Sequence, residues 1–257
     1  MRKAIIIAAV VVAVAVVCTV LVLEGRPGGL TGSGNLETET YAFSDFTEVE
    51  IGSAFEFEII QSSSYSINIT ADDNVMEYVQ VSIDGQTLKV GLGTGVHIGS
   101  ATLSISCGTL PFLESVTLKA SVTMPQLHGL TASGASRGTI SDFSSAEDLD
   151  ITVSGASRVI GDITAGNVDF GISGASTIQL EGSASDIDAN VSGASSLNLE
   201  DFTVNDADIN FSGASSGTVN LDGRLDANLS GASRLWYVGE PTTTDINTSG
   251  ASTVSKK

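Results

Sequence analysis

From Leu149 onward, apolar and polar residues alternate with period two in short runs, and the runs recur at a nearly fixed interval. Each run ends at the tetrapeptide Ser-Gly-Ala-Ser, which begins at Ser133, Ser154, Ser173, Ser192, Ser212, Ser230 and Ser249, at intervals of 21, 19, 19, 20, 18 and 19 residues. One position before these corners stand Val153, Ile172, Val191, Phe211, Leu229 and Thr248; three before stand Ile151, Phe170, Ala189, Ile209, Ala227 and Ile246. Between and beyond them lie Thr152, Gly171, Asn190, Asn210, Asn228 and Asn247, and then Asp150, Asp169, Asp188, Asp208, Asp226 and Asp245. Alternation of this kind marks a strand with one buried face. A second short strand follows each corner, as in Leu197-Asn198-Leu199 and Thr218-Val219-Asn220-Leu221.

Two strands per repeat of about 19 residues, with no helical pattern, predict one winding of a parallel β-helix. Equivalent residues then stack about 4.8 Å apart along the axis. Glycine suits the corner because it tolerates positive φ, and alanine is expected to fill the narrow interior there. The flanking serines are expected to hydrogen-bond to the backbone or to serines of adjacent coils. Upstream, "FTEVEIGSAFEFEII", "YSINITADD" and "VQVSIDGQTLKVGL" alternate too, with Asp84-Gly85 as a turn signal. The expected organisation is an N-terminal membrane segment at 1–23, a flexible linker at 24–34, irregular β coils at 35–125 and the regular β-helix at 126–257. Leu118-Lys119-Ala120-Ser121 reads as a degenerate corner.

The motif "GSGN" at Gly32–Asn35, the stretch "FTEVEIGSAFEFEI…YSINITADDNVMEYVQVSIDGQTLKVGL" and the serial "SGAS" corners together resemble the head GIN-domain family of putative auto-transporter adhesins. The resemblance runs from about Gly32 to Ser255. It implies an all-β, right-handed, single-stranded parallel β-helix at the cell envelope. It supplies no catalytic motif.

The N-terminus changes where that fold would operate. Ala4 to Leu23 are twenty uncharged, nearly all apolar residues, enough for a transmembrane helix. Large apolar side chains persist through Leu21, Val22 and Leu23, which favours an uncleaved anchor over a cleaved signal peptide. Val17 before Cys18 disfavours a lipid-modified cysteine. Arg2 and Lys3 hold the short N-terminus inside, so the remainder is exported to the cell envelope. That remainder carries −21, from thirty acidic against nine basic residues. Such a surface repels nucleic acid and anionic lipid. Cys107 has no exported partner and reads as a small buried residue.

The aspartate column Asp150, Asp169, Asp188, Asp208, Asp226 and Asp245 is the sharpest chemical feature. Adjacent carboxylates about 4.8 Å apart repel by about 0.9 kcal/mol in water. The column is either a solvated negative ladder or a site for weak Ca²⁺ binding, with neighbouring asparagine carbonyls as further ligands. The asparagine column also creates Asn-X-Ser glycosylation sequons. Arg137, Arg158 and Arg234 follow the corner and are expected either to pair with nearby carboxylates or to contact an acidic ligand. Trp236, in an outward column, and Tyr237 beside it either stack on a sugar or cover the end of the solenoid. His97 and His128 read as isolated loop or surface residues.

The residues therefore point to a non-catalytic, membrane-anchored cell-surface solenoid serving adhesion, envelope architecture or binding of a glycan or protein ligand. A carbohydrate-active β-helix enzyme is the alternative by fold analogy. It would need an Asp/Arg or Asp/Lys cluster that interrupts the repeat. A sensory ectodomain is the third reading.

Overall fold

The computed structural model describes residues 30–93, 95–98, 101–104 and 113–257. The expected membrane helix at 4–23 lies outside them, as does Cys107. Among the described residues no helix is long and apolar enough to cross a membrane.

The chain winds into a β-solenoid of about seven turns. Each turn contributes one strand to a ten-stranded sheet, here the front sheet, and one to an eleven-stranded sheet, the back sheet. Front strands such as Leu149–Val153, Val168–Ile172 and Asp186–Val191 run into the Ser-Gly-Ala-Ser corner, and back strands such as Arg158–Thr164 and Thr177–Ser183 run out of it. From Gly129 to the C-terminus all neighbouring strands pair in parallel. Alternation places Leu149, Ile151 and Val153 of the front strand between the sheets with Val159 and Ile163 of the back strand, all buried. Large and small residues compensate across this core. Phe211 fills the space a side chain at Gly217 would need, and Phe57 does the same at Gly138.

The coils of 21 and 20 residues keep register by expelling their surplus from the corner. The first spends one residue on a bulge between Ile140 and Phe143, where Asp142 has φ 65, and the second bulges opposite Gln179 to Glu181.

The corner itself differs from expectation. Alanine faces outward, and the second serine turns in: Ser136, Ser157, Ser176, Ser195, Ser215 and Ser233 are all at most 2% exposed. The three residues before it make the bend, and the fourth resumes the inward phase. Ser136, Ser215 and Ser233 satisfy their hydroxyls on the carbonyl of the serine three residues earlier, at 2.7–2.8 Å. The corner glycines have φ between 64 and 78. A second constraint acts on them. The amide of Ala194 donates to the carbonyl of Gly174 at 2.8 Å, and Ala214, Ala232 and Ala251 repeat this coil after coil. A Cβ on Gly193 would stand 2.3 Å from that Gly174 oxygen.

The N-terminal part mixes parallel and antiparallel pairing. Glu48–Ile51 and Glu56–Gln61 form a genuine coil whose corner is Gly52-Ser53-Ala54-Phe55, in register with Ser133–Ser136. Ser53 and Ala54 adopt φ 60 and 62, matching Gly134 and Ala135 at 64 and 72. Leu118-Lys119-Ala120-Ser121, expected as a corner, is instead the first part of the straight strand Leu118–Met124. That strand and Thr87–Leu92 flank the Gly52 coil on one side, and Gly129–Ala132 and Arg137–Ser144 flank it on the other. Antiparallel strands then close this end: Ser66–Asp72 on Leu118–Met124, Leu36–Tyr41 on Ser66–Asp72, and Val79–Asp84 on Thr87–Leu92. The irregular opening is thus a mixed cap built around one true coil.

Residues 30–34, expected as the end of a flexible linker, belong to this cap. Leu30–Thr31 pairs with Leu113–Glu114. Buried Asp72 accepts the amides of Gly34 and Thr117, each at 2.7 Å. The Ser33 amide donates to the Asn74 side chain at 3.0 Å, and the Asn74 amide group returns a bond to the Thr31 carbonyl at 2.9 Å. The "GSGN" and "ADDN" motifs therefore clasp one another across about forty residues.

Candidate functional site

The outward positions of the front sheet form three files. Asp150, Asp169, Asp188, Asp208, Asp226 and Asp245 pair in unbroken register from coil to coil. Their side chains lie on the outer surface, with Asp208 and Asp226 half-buried. Desolvation first, and then the charge of Asp169, push the Asp150 carboxyl above its ordinary range. Asp188 moves the same way, through desolvation and then its neighbours Asp208 and Asp169.

Two residues along stands the asparagine file. Asn190, Asn210, Asn228 and Asn247 each donate a side-chain N–H to the aspartate of their own strand, at 2.9, 3.1, 3.2 and 3.3 Å. A carboxylate only accepts, so this bond fixes the amide orientation and turns the carbonyl oxygen away from the aspartate. Asn247 also donates to the Asn228 carbonyl at 3.3 Å. The carbonyls expected as co-ligands of a cation thus do not converge with the carboxylates. Among the described residues no group of three or more His, Cys, Asp or Glu side chains is placed to hold a metal ion.

The third file is the first serine of each corner. Between it and the asparagines runs an open groove of about 640 Å³, lined by Asn190, Asn210, Asn228 and Asn247 on one side and Ser192, Ser212, Ser230 and Ser249 on the other. The hydroxyls of Ser192, Ser230 and Ser249 reach backbone carbonyls only at 3.4–3.5 Å. In the two preceding coils the asparagine position holds Thr152 and Gly171. Sequence reading identified each column but not the groove between them; the combined recurrence of Asn and Ser two residues apart was its signal.

Other expected residues lie elsewhere. Trp236 projects from the back sheet, 37% exposed, while Tyr237 turns inward against the core. Adjacent strand residues face opposite sides, so the two rings do not make one stacking surface, and both lie away from the groove. Arg137, Arg158 and Arg234 are exposed, and among the described residues they form no ion pair. Arg137 instead stands in register with Arg158. The arginine that does pair is Arg224, which reaches Asp226 at 3.4 Å and Asp206 at 4.0 Å. His128 is half-buried before the strand Gly129–Ala132, its Nε2 buried without a partner. His97 lies in the short strand Gly95–Ile98 rather than a loop.

Comparison with known proteins supports the same architecture. The fold is similar to a putative adhesin of Bacteroides fragilis, with 21% identity and TM-score 0.77, covering 89% of this chain and all of that one. It is also similar to a putative lipid binding protein of Parabacteroides distasonis (22% identity, TM-score 0.67, 89% of this chain, 99% of that one). A putative adhesin of Parabacteroides merdae gives 18% identity and TM-score 0.62, over 89% of this chain and 98% of that one. No curated protein matches the chain. The family model for "Putative auto-transporter adhesin, head GIN domain" matches residues 45–241, and the chain belongs to that family.

Proposed function

We propose that this chain is a non-catalytic surface protein of the cell envelope, held by its N-terminal apolar segment, whose solenoid presents the front sheet for adhesion. The observation that carries this reading is the unbroken register of the outward aspartate file along that sheet. Such a surface repeats one chemistry at every coil, which suits attachment along an extended partner more than reaction at a point. The family description supports adhesion. The twenty-residue apolar run supports anchoring, because it matches a hydrocarbon core about 30 Å thick.

The test is a whole-cell attachment assay on glycan-coated and matrix-coated surfaces. Cells carrying the chain should attach several-fold better than cells lacking it, and protease treatment of intact cells should remove the difference. Equal attachment in both strains sinks the proposal. Release of new reducing ends from an offered polysaccharide would overturn the non-catalytic part.

A further inference from the structure

We infer that the groove between the asparagine and serine files binds an uncharged glycan chain laid along the solenoid axis. This rests on the surface-adhesion reading and names its ligand class.

The lining decides the chemistry. Each of these asparagines commits one side-chain N–H to its aspartate, and Asn247 gives its other to Asn228, so among the described residues Asn190 and Asn210 keep both a carbonyl oxygen and a second N–H unpaired. Among the described residues no protein donor reaches the carbonyl of Asn190, Asn210 or Asn247. The serine hydroxyls are held only at 3.4–3.5 Å and remain open to a better partner. The wall therefore offers both acceptors and donors, which suits a ligand whose O–H groups both donate and accept.

The surroundings narrow the class. The aspartate file runs beside the groove over the same coils and repels a polyanion, which disfavours uronic-acid and sulfated chains. A peptide is disfavoured by direction. The groove crosses the strands, so it offers side chains rather than the backbone edge to which an extended peptide adds. Phe211 and Leu229 lie beneath its floor, at most 3% exposed, leaving no pocket for an apolar anchor. The acceptors recur about every 4.8 Å, as a regular polymer requires. The groove ends toward the N-terminus where Thr152 and Gly171 replace asparagine.

The experiment is calorimetric titration of the full chain with cellohexaose, mannohexaose and hexagalacturonate at low salt. At least one neutral hexasaccharide should bind, and the acidic one at least ten-fold more weakly. Asn210→Ala with Asn228→Ala should weaken neutral binding at least ten-fold, with the thermal melt unchanged. Thr218→Ala on the back sheet should leave it unaltered. Should the double substitution lower the melt, Ser212→Ala with Ser230→Ala supplies the second readout, removing groove hydroxyls of which Ser230 reaches a backbone carbonyl only at 3.5 Å, with the same loss expected. Binding of neither neutral chain, equal binding of the acidic one, or retained binding in the variants each overturns the inference. Whole-cell attachment that survives the double substitution sinks the groove and leaves surface adhesion standing; attachment equal with and without the chain sinks adhesion itself.

Discussion

The stretch from Gly129 to Lys256 and the stretch from Leu36 to Met124 build the same two sheets by different rules. In the first, each strand lies on the strand one coil before it, and glycines with φ between 64 and 78 repeat at every corner. In the second, one coil bends at Gly52-Ser53-Ala54-Phe55 without a glycine in the positive-φ positions, and antiparallel strands close around it. The difference lies in what each corner touches. The Cβ position of a repeated corner glycine such as Gly193 meets the carbonyl of the corner before it, whereas a hairpin turn in the cap, such as that at Gly85, faces open space.

That contrast gives the largest expected effect. Gly193→Ala places a methyl 2.3 Å from the Gly174 carbonyl at φ 78, and should cost about 3 kcal/mol and roughly 10 °C of melting temperature. Gly85→Ala, at φ 63 with nothing within 4 Å, carries only the backbone strain of about 1 kcal/mol. Equal losses in thermal melts would erase the distinction. Next comes the clasp. Asp72→Ala leaves the amides of Gly34 and Thr117 without their acceptor and should cost about 2 kcal/mol. Hydrogen exchange should show residues 31–41 opening while the coils beyond Gly129 keep their protection; uniform loss would mean that cap and coils are one cooperative unit.

The smallest effect concerns the aspartate file. Asp150 and Asp188 have carboxyl pKa values above the ordinary Asp value of about 3.9, so the folded chain holds those protons more tightly than the unfolded one. Their contribution to stability is fully present below the unfolded value and is lost as pH rises through the folded one. Acidification from neutral pH toward the ordinary Asp value of about 3.9 should therefore raise the melting temperature slightly, and D150N with D188N should flatten the rise. Identical pH profiles for native and substituted chains would show that the file is fully solvated.

How much of this was legible in the residues follows from the same contrast. Alternation and the recurring corner are local signals, and they located the front and back strands of every regular coil. Alternation has the same period in parallel and antiparallel strands, so it could not reveal that Ser66–Asp72 and Val79–Asp84 run backwards. Nor could it reveal that Gly52–Phe55 is a corner, because Ser53 and Ala54 carry the unusual backbone there and the familiar glycine signal is displaced by one. Alanine and serine are both small enough for either side of the bend; only the phase of the turn decides which is buried. The groove required two columns to be placed side by side, and that juxtaposition depends on sheet geometry.

The contact of each corner glycine with the carbonyl below it also bears on how such a chain can lengthen. Adding or deleting an entire winding preserves every neighbour relation, whereas one extra residue inside a bend would misalign everything stacked above it. Growth by tandem duplication of gene segments about 57 nucleotides long, three for each of 19 residues, is the route this architecture leaves open.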